Sequence, residues 1–163
     1  MQEKNIKISY KYYSNYNELD IQYINLINKA EESLERAYSI YSGFSVGAAL
    51  LLDNGEIITG NNQENSAYPS AMCAERVALY YCKAQYPNVK VLKIVIAAKS
   101  IHTIVDEPAS PCGGCRQVMI EYEKLQKSKI EVVLKGDSSK LLIFSSVSDL
   151  LPFSFDSTLL RQA

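Results

Sequence analysis

The sequence predicts an α/β fold: a mixed sheet of about five strands covered by helices. Three observations predict it. Apolar residues recur at helical spacing in several stretches, with β-rich runs between them, so helices and strands alternate along the chain. One of those runs, VLKIVIAAK at 91–99, is almost continuously apolar, as a strand covered on both faces must be. And Asp53-Asn54-Gly55 separates two β-rich runs, a strong hairpin signal.

Taken in order, residues 4–13 alternate, with Ile6, Ile8, Tyr10 and Tyr12 on one side, which reads as a strand or an ordered arm. Residues 1–17 form an N-terminal extension, and 18–163 form a single domain. Tyr23, Ile24, Ile27, Ala30, Leu34 and Ala37 make one helical stripe opposite Lys29, Glu32 and Arg36, which predicts an amphipathic helix over about 18–39. The hairpin places strands near 46–52 and 56–60. CAERVALYYCKAQY reads as a helix starting near Cys73, and CGGCRQVMIEYEKLQ as one starting near Cys112. KIEVVLK and KLLIFS supply the last two strands. The tail DLLPFSFDSTLLRQ reads as a turn followed by a short helix. There is no internal repeat and no low-complexity linker.

Composition narrows the function. The chain has 163 residues, enough for one domain with a sizeable core. Its formal net charge is −1, with 17 basic against 18 acidic residues, which argues against a general binder of nucleic-acid backbones. No apolar run is long enough to span a bilayer. The N-terminus MQEKNIKISYKYY lacks the apolar core of a signal peptide, so a cytoplasmic address is expected.

The chemistry lies in the cysteines. In a reducing cytoplasm, Cys73, Cys82, Cys112 and Cys115 are expected as metal ligands, catalytic thiols or core residues rather than disulfides. His102 is the only histidine, so a metal site here is built mostly from sulfur. Cys112 and Cys115 are three apart at a helix start and share a face. Pro111 suits that start, and Gly113-Gly114 permits close backbone approach. Alone, this C-x-x-C fits a redox pair or half of a zinc ribbon equally well. Cys73 also opens a helix, where the N-terminal dipole favours a thiolate. Three thiols with a fourth position open is the pattern of a catalytic zinc. Cys82 follows Cys73 by nine residues, half a turn out of phase, and is expected in the core.

Two neighbours of Cys73 complete the pattern. Glu75 is placed to move protons to and from a metal-activated water and a leaving amine. Arg76, on the face of Cys73, is placed to offset the negative charge of three thiolates. Each has a plainer reading alone: Glu75 as a helix N-terminal acid, Arg76 as a surface ion-pair residue, Cys73 as core. The conjunction of C-A-E with a downstream P-C-x-x-C matches the signature of zinc nucleobase deaminases in its three-cysteine form.

At this point the sequence resembles the cytidine deaminase family, specifically its small single-domain nucleoside enzymes. The resemblance runs from about Ala37 to Phe155. It rests on YSGFSVGAALL (41–51), GNNQENSAYPSAMCAERVAL (60–79), SPCGGCRQV (110–118) and LLPFSF (150–155). It implies an α/β/α sandwich and one Zn²⁺ per chain held by Cys73, Cys112 and Cys115, with Glu75 as proton shuttle. It implies hydrolytic deamination of cytidine and deoxycytidine: water adds at C4, Glu75 carries protons to N3 and then to the amino group, and ammonia leaves. Phe44 matches an aromatic that packs on the pyrimidine. Asn62 and Glu64 match the pair that grips the ribose 3′-hydroxyl. The N–H of Ala74 matches a donor to the 2-oxo group, and the carbonyl of Ser110 an acceptor from the 4-amino group. Tyr68 and Phe155 match residues that reach a neighbouring subunit's pocket in tetrameric members, so a homotetramer with shared active sites is expected. Ile40 and Ser45 stand where many members carry proline, and Val77 replaces a common threonine.

Other readings of the same residues are a deaminase of this scaffold acting on a blasticidin-type nucleoside or a nucleic-acid base, a thiol redox protein using Cys112 and Cys115, and a non-catalytic zinc module. Asn62, Glu64 and the near-neutral charge favour a free nucleoside. The third cysteine and Glu75 count against the last two.

Overall fold

A computed structural model describes residues 1–157 and 160. Its centre is one mixed six-stranded sheet in the order β1-β6-β5-β4-β2-β3. The strands are β1 (Tyr10–Tyr13), β2 (Phe44–Leu52), β3 (Ile57–Asn61), β4 (Val91–Ser100), β5 (Glu131–Lys135) and β6 (Leu141–Phe144). The helices are α1 (Ile21–Leu34), α2 (Ala74–Gln85) and α3 (Gly113–Leu125). Only β4 and β5 pair in parallel, across the α3 crossover; every other pair is antiparallel.

The sixth strand comes from the N-terminal arm. β1 pairs with β6, Tyr10 opposite Phe144 with ring centroids 5.5 Å apart. Alternation in residues 4–13 thus yields a strand only where a free sheet edge lies within reach. The helix expected over 18–39 is shorter at both ends. Asp20 caps it, its carboxylate accepting from the amides of Gln22 (2.9 Å) and Tyr23 (3.3 Å). Beyond Leu34 the chain unwinds through tighter turns, and the Tyr38 amide donates to Asn62 O at the exit of β3. The expected hairpin forms as Leu51 opposite Ile57, with Gly55 at φ 87°, a conformation that favours glycine. The short helix expected at the tail lies largely outside the described residues; before it, the chain makes a 3₁₀ turn at Val147–Asp149.

Side-chain alternation along the strands divides the core in two. Ala49, Val95, Ala97, Val133 and Ile143 face α1, packing against Leu26, Ile27, Ala30 and Leu34. Ala48, Leu50, Ile94, Ile96, Val132 and Leu134 face α2 and α3, packing against Ala78, Leu79, Cys82, Met119 and Ile120. Cys82 is fully buried there, as its phase on the helix requires. Contact is close on both faces: a Cβ on Gly47 would lie 2.0 Å from Ala30 O under α1, and one on Gly60 would lie 2.6 Å from the Ala78 amide under α2.

This topology positions the site. β3 and β4 both run antiparallel to the β2 between them, so they point the same way. α2 follows β3 and α3 follows β4, on the same face. Both helices therefore begin at the carboxyl ends of their strands, either side of the start of β2 at Phe44. Ligand clefts in α/β sheets form at such ends.

Candidate active site

The two helix starts bring three sulfurs together. Cys73 is the N-cap of α2 and Cys112 the N-cap of α3; neither caps with its own side chain, so both thiols are free to point outward from the first turn. Cys115 follows on the same face of α3. The Sγ atoms of Cys73, Cys112 and Cys115 all lie within 4.8 Å of one another. Cys112 is 4.0 Å from Cys73 and 3.4 Å from Cys115. A tetrahedral zinc with Zn–S bonds of ~2.3 Å separates its sulfurs by ~3.8 Å. The donor set and spacing therefore fit such an ion, and no other group of three metal-binding side chains occurs among the described residues.

The surroundings favour thiolate at Cys73. The Cys73 thiol is pulled down to about 5, first by the hydrogen bond from Cys115 and then by the Arg76 guanidinium. Cys115 moves up in compensation, since it donates to Cys73 and is buried. Arg76 Nη2 lies 3.6 Å from Cys73 Sγ, while Arg76 Nε is buried with no hydrogen-bond partner. A guanidinium held this way against sulfur suits a negatively charged cluster.

Glu75 projects from the first turn of α2 into the cleft beside these sulfurs and is only 4% exposed. Burial pushes its carboxyl above the usual range, with the Cys73 charge adding to the effect. The cleft holds about 320 Å³. Cys73, Cys112 and Glu75 line one end; Phe44, Asn62, Glu64 and Ser110 line the rest. Ala74 is buried at the helix start, where first-turn N–H groups have no intrahelical partner.

The wall carrying Phe44 is tightly hydrogen-bonded. The Asn62 amide bridges the start of β2, its Oδ1 accepting from Val46 N (2.8 Å) and its Nδ2 donating to Phe44 O (3.0 Å). Glu64 accepts from the amides of Tyr41 (2.9 Å) and Ser42 (3.3 Å) and from Ser42 Oγ (2.5 Å), which hold its carboxyl below the ordinary value. Gly43, at φ 63°, donates to Ser39 O. Ser45, one of the two positions where proline is common, hydrogen-bonds Ser39 Oγ at 2.8 Å. Hydrogen bonds thus fix the loop.

Two expected residues do not enter this cleft. Tyr68 is 72% exposed and lines an adjoining hollow with Tyr41 and Glu64. Phe155 is 56% exposed, though its backbone is pinned: Gln117 Nε2 donates to Phe155 O (2.9 Å), and Lys124 pairs with Ser154 and Asp156. Gly113 and Gly114 are not used for close approach, since a Cβ on either meets nothing within 4 Å; both are exposed in the first turn of α3.

Two residues were not legible in the sequence. Ser42 joins Glu64 to the Phe44 amide, and Arg116 donates to Pro111 O (2.8 Å) and Leu150 O (3.0 Å), tying the Cys112 loop to the tail. Nothing in local spacing distinguishes either from a surface side chain.

Comparison with known proteins places these features in a family. Residues 21–130 match the family model described as the cytidine and deoxycytidylate deaminase zinc-binding region. The cytidine deaminase of Sporosarcina psychrophila is 40% identical over 130 residues, covering 80% of this chain and 88% of that protein. That of Halalkalibacterium halodurans is 38% identical over 130 residues, 80% of this chain and 91% of its own length. The crystal structure of cytidine deaminase from Burkholderia pseudomallei superposes with a TM-score of 0.68 at 37% identity, covering 81% of this chain and 98% of that one. That of the Mycobacterium tuberculosis enzyme superposes with a TM-score of 0.63 at 28% identity, covering 83% and 98%. Sequence, fold and sulfur cluster agree: the chain belongs to the cytidine and deoxycytidylate deaminase zinc-binding family.

Proposed function

We propose that the chain is a zinc-dependent deaminase that converts cytidine and deoxycytidine to uridine and deoxyuridine with release of ammonia. The observation that carries this reading is the placement of three sulfurs within 4.8 Å of one another at one end of a cleft into which the buried carboxyl of Glu75 projects. The relatives named cytidine deaminase support the substrate class.

Cys73, Cys112 and Cys115 hold one zinc, which when bound makes water reactive at neutral pH. The chain's own residues do the rest. Phe44 packs on the pyrimidine and sets its depth. The Ala74 N–H donates to the 2-oxo group, and the Ser110 carbonyl accepts from the 4-amino group, which turns C4 toward the sulfur end. Glu75 takes a proton from water as it adds at C4, passes it to N3, and delivers the next to the departing amine. Burial keeps that carboxyl away from competing solvent. Asn62 and Glu64 receive the ribose 3′-hydroxyl. Arg76 offsets the thiolate charge.

Assembly follows from the aromatics. Phe153 and Phe155 are 85% and 56% exposed on a segment whose backbone is held against α3, and Tyr68 stands out beside the cleft. A homotetramer gives these rings a surface to bury and closes each cleft with a neighbour's side chains. On this reading the enzyme acts in the cytoplasm on free pyrimidine nucleosides.

The test is direct. Purified protein is incubated with cytidine, and ammonia release and the ultraviolet change are followed. The Glu75→Gln variant is expected to keep its zinc and fold while losing roughly 10²–10⁴-fold or more in kcat. Turnover by that variant within a few-fold of the parent would overturn the assignment.

A further inference from the structure

We infer that Ser42 is a positioning residue for the sugar end of the cleft, holding the Glu64 carboxylate and the Phe44 backbone in one arrangement. This rests on the nucleoside-deaminase reading and on Glu64 as the acceptor of the ribose hydroxyl.

A serine hydroxyl has one proton to give and two lone pairs. Ser42 donates that proton to Glu64 Oε1 at 2.5 Å. It accepts from the Phe44 amide at 2.9 Å. The hydroxyl therefore both donates and accepts, joining two parts of the cleft wall. One partner is the carboxylate at the exit of β3. The other is the backbone of the ring at the start of β2. Two atoms of side chain thus link the residue that meets the sugar to the residue that meets the base.

The division of labour on Glu64 makes the link specific. Oε2 accepts from two amides, Tyr41 N and Ser42 N, which pin that oxygen to the backbone. Those bonds engage Oε2 alone. Among the described residues, only the Ser42 hydroxyl donates to Oε1. A carboxylate oxygen offers two lone pairs. With one taken by Ser42, the second has a defined direction in which to accept a ribose hydroxyl. Gly43, which follows, adopts φ 63° and lets the chain fold the 42 side chain back under Phe44.

The experiment compares cytidine with 3′-deoxycytidine, which lacks the hydroxyl in question. The zinc-loaded Ser42→Ala, Ser42→Thr, Glu64→Gln and doubly substituted proteins are assayed for kcat and KM. Loss of a hydrogen bond to a charged group is expected to raise the KM of Ser42→Ala for cytidine about tenfold with kcat within twofold. KM for 3′-deoxycytidine should move less than twofold. Ser42→Thr restores the hydroxyl and the low KM. In the Glu64→Gln background, Ser42→Ala adds nothing further. An unchanged KM for cytidine, or an equal rise for both nucleosides, overturns the inference, since the serine is then inert or merely structural. If Glu64→Gln raises the KM of the two nucleosides equally, or leaves both unchanged, the sugar role of Glu64 fails first and the inference falls with it.

Discussion

Glu123 carries a load that its position on α3 does not advertise. It is 6% exposed, yet its carboxylate accepts five hydrogen bonds. Oε2 takes the amides of Ile130 (2.9 Å) and Val147 (2.8 Å); Oε1 takes Ser146 Oγ (2.7 Å) and both the amide and hydroxyl of Ser148. The helix is thereby stapled to the entry of β5 and to the turn after β6. Replacing Glu123 by alanine strands three donors on buried residues: Ile130 N, Val147 N and Ser146 Oγ. Each stranded donor costs about 1–3 kcal/mol. Allowing the turn to admit some water, we expect a loss of about 4 kcal/mol, or a fall in Tm of about 8–16 °C for a domain of this size. Glutamine should cost only about 1–2 kcal/mol. Its one oxygen can serve the two fixed amides, and the serine hydroxyls can rotate to accept from its NH₂; only Ser148 N is left opposed. Urea and thermal unfolding of the zinc-loaded variants measure this. A loss below about 1 kcal/mol for Glu123→Ala, or equal losses for Ala and Gln, would refute the reasoning.

Other outcomes follow from the site. Cys115→Ala is expected to lose stoichiometric zinc as read by metal analysis; full zinc content in that variant would exclude Cys115 as a ligand. Glu64 sits below its ordinary 4.5 because Ser42 and two amides favour its charged form. A depressed carboxyl keeps its charge as pH falls, so the KM advantage of cytidine over 3′-deoxycytidine should persist down to pH 4.5 and fade only below it; a loss centred above that value would contradict the hydrogen bonding. The same negative charge should make cytidine and deoxycytidine far better substrates than CMP, and free cytosine should be poor because it lacks the sugar hydroxyl; a competition assay favouring CMP would count against the sugar assignment. Sedimentation should give a tetramer, with Phe155→Ala raising KM; a fully active monomer would end the shared-site reading.

Elements whose periodicity is local were readable from the chain alone. The 91–99 run became β4, the Asp53-Asn54-Gly55 turn became the hairpin, and the half-turn offset sent Cys82 into the core, because each depends on residues within a few positions of one another. The convergence of Cys73 with Cys112 was legible as chemistry before geometry: only a metal site gives one reason for all three thiols. What escaped depends on distant partners. β1 exists because β6 offers an edge, some 130 residues later. Ser42, Glu123 and Arg116 act through bonds to loops whose approach no spacing encodes. The double glycine misled for the opposite reason, since small residues permit close approach without requiring it.

The electrostatics explain why the sulfur cluster sits where it does. Three thiolates around a bound dication would leave a net negative shell, which would weaken its pull on an oxygen ligand. Each helix N-terminus contributes about half a positive charge, and two of them converge on these sulfurs. Arg76 adds a whole charge at 3.6 Å from Cys73. Together they would offset much of that negative charge. Glu64 lines the same cleft away from these groups and carries a negative charge. The cleft is therefore graded, with Arg76 and two helix N-termini at the sulfur end and the Glu64 carboxylate at the other. On the proposed function, a nucleoside enters that gradient with its base toward the sulfurs and its sugar toward Glu64. A 5′-phosphate would bring its charge to the negative end.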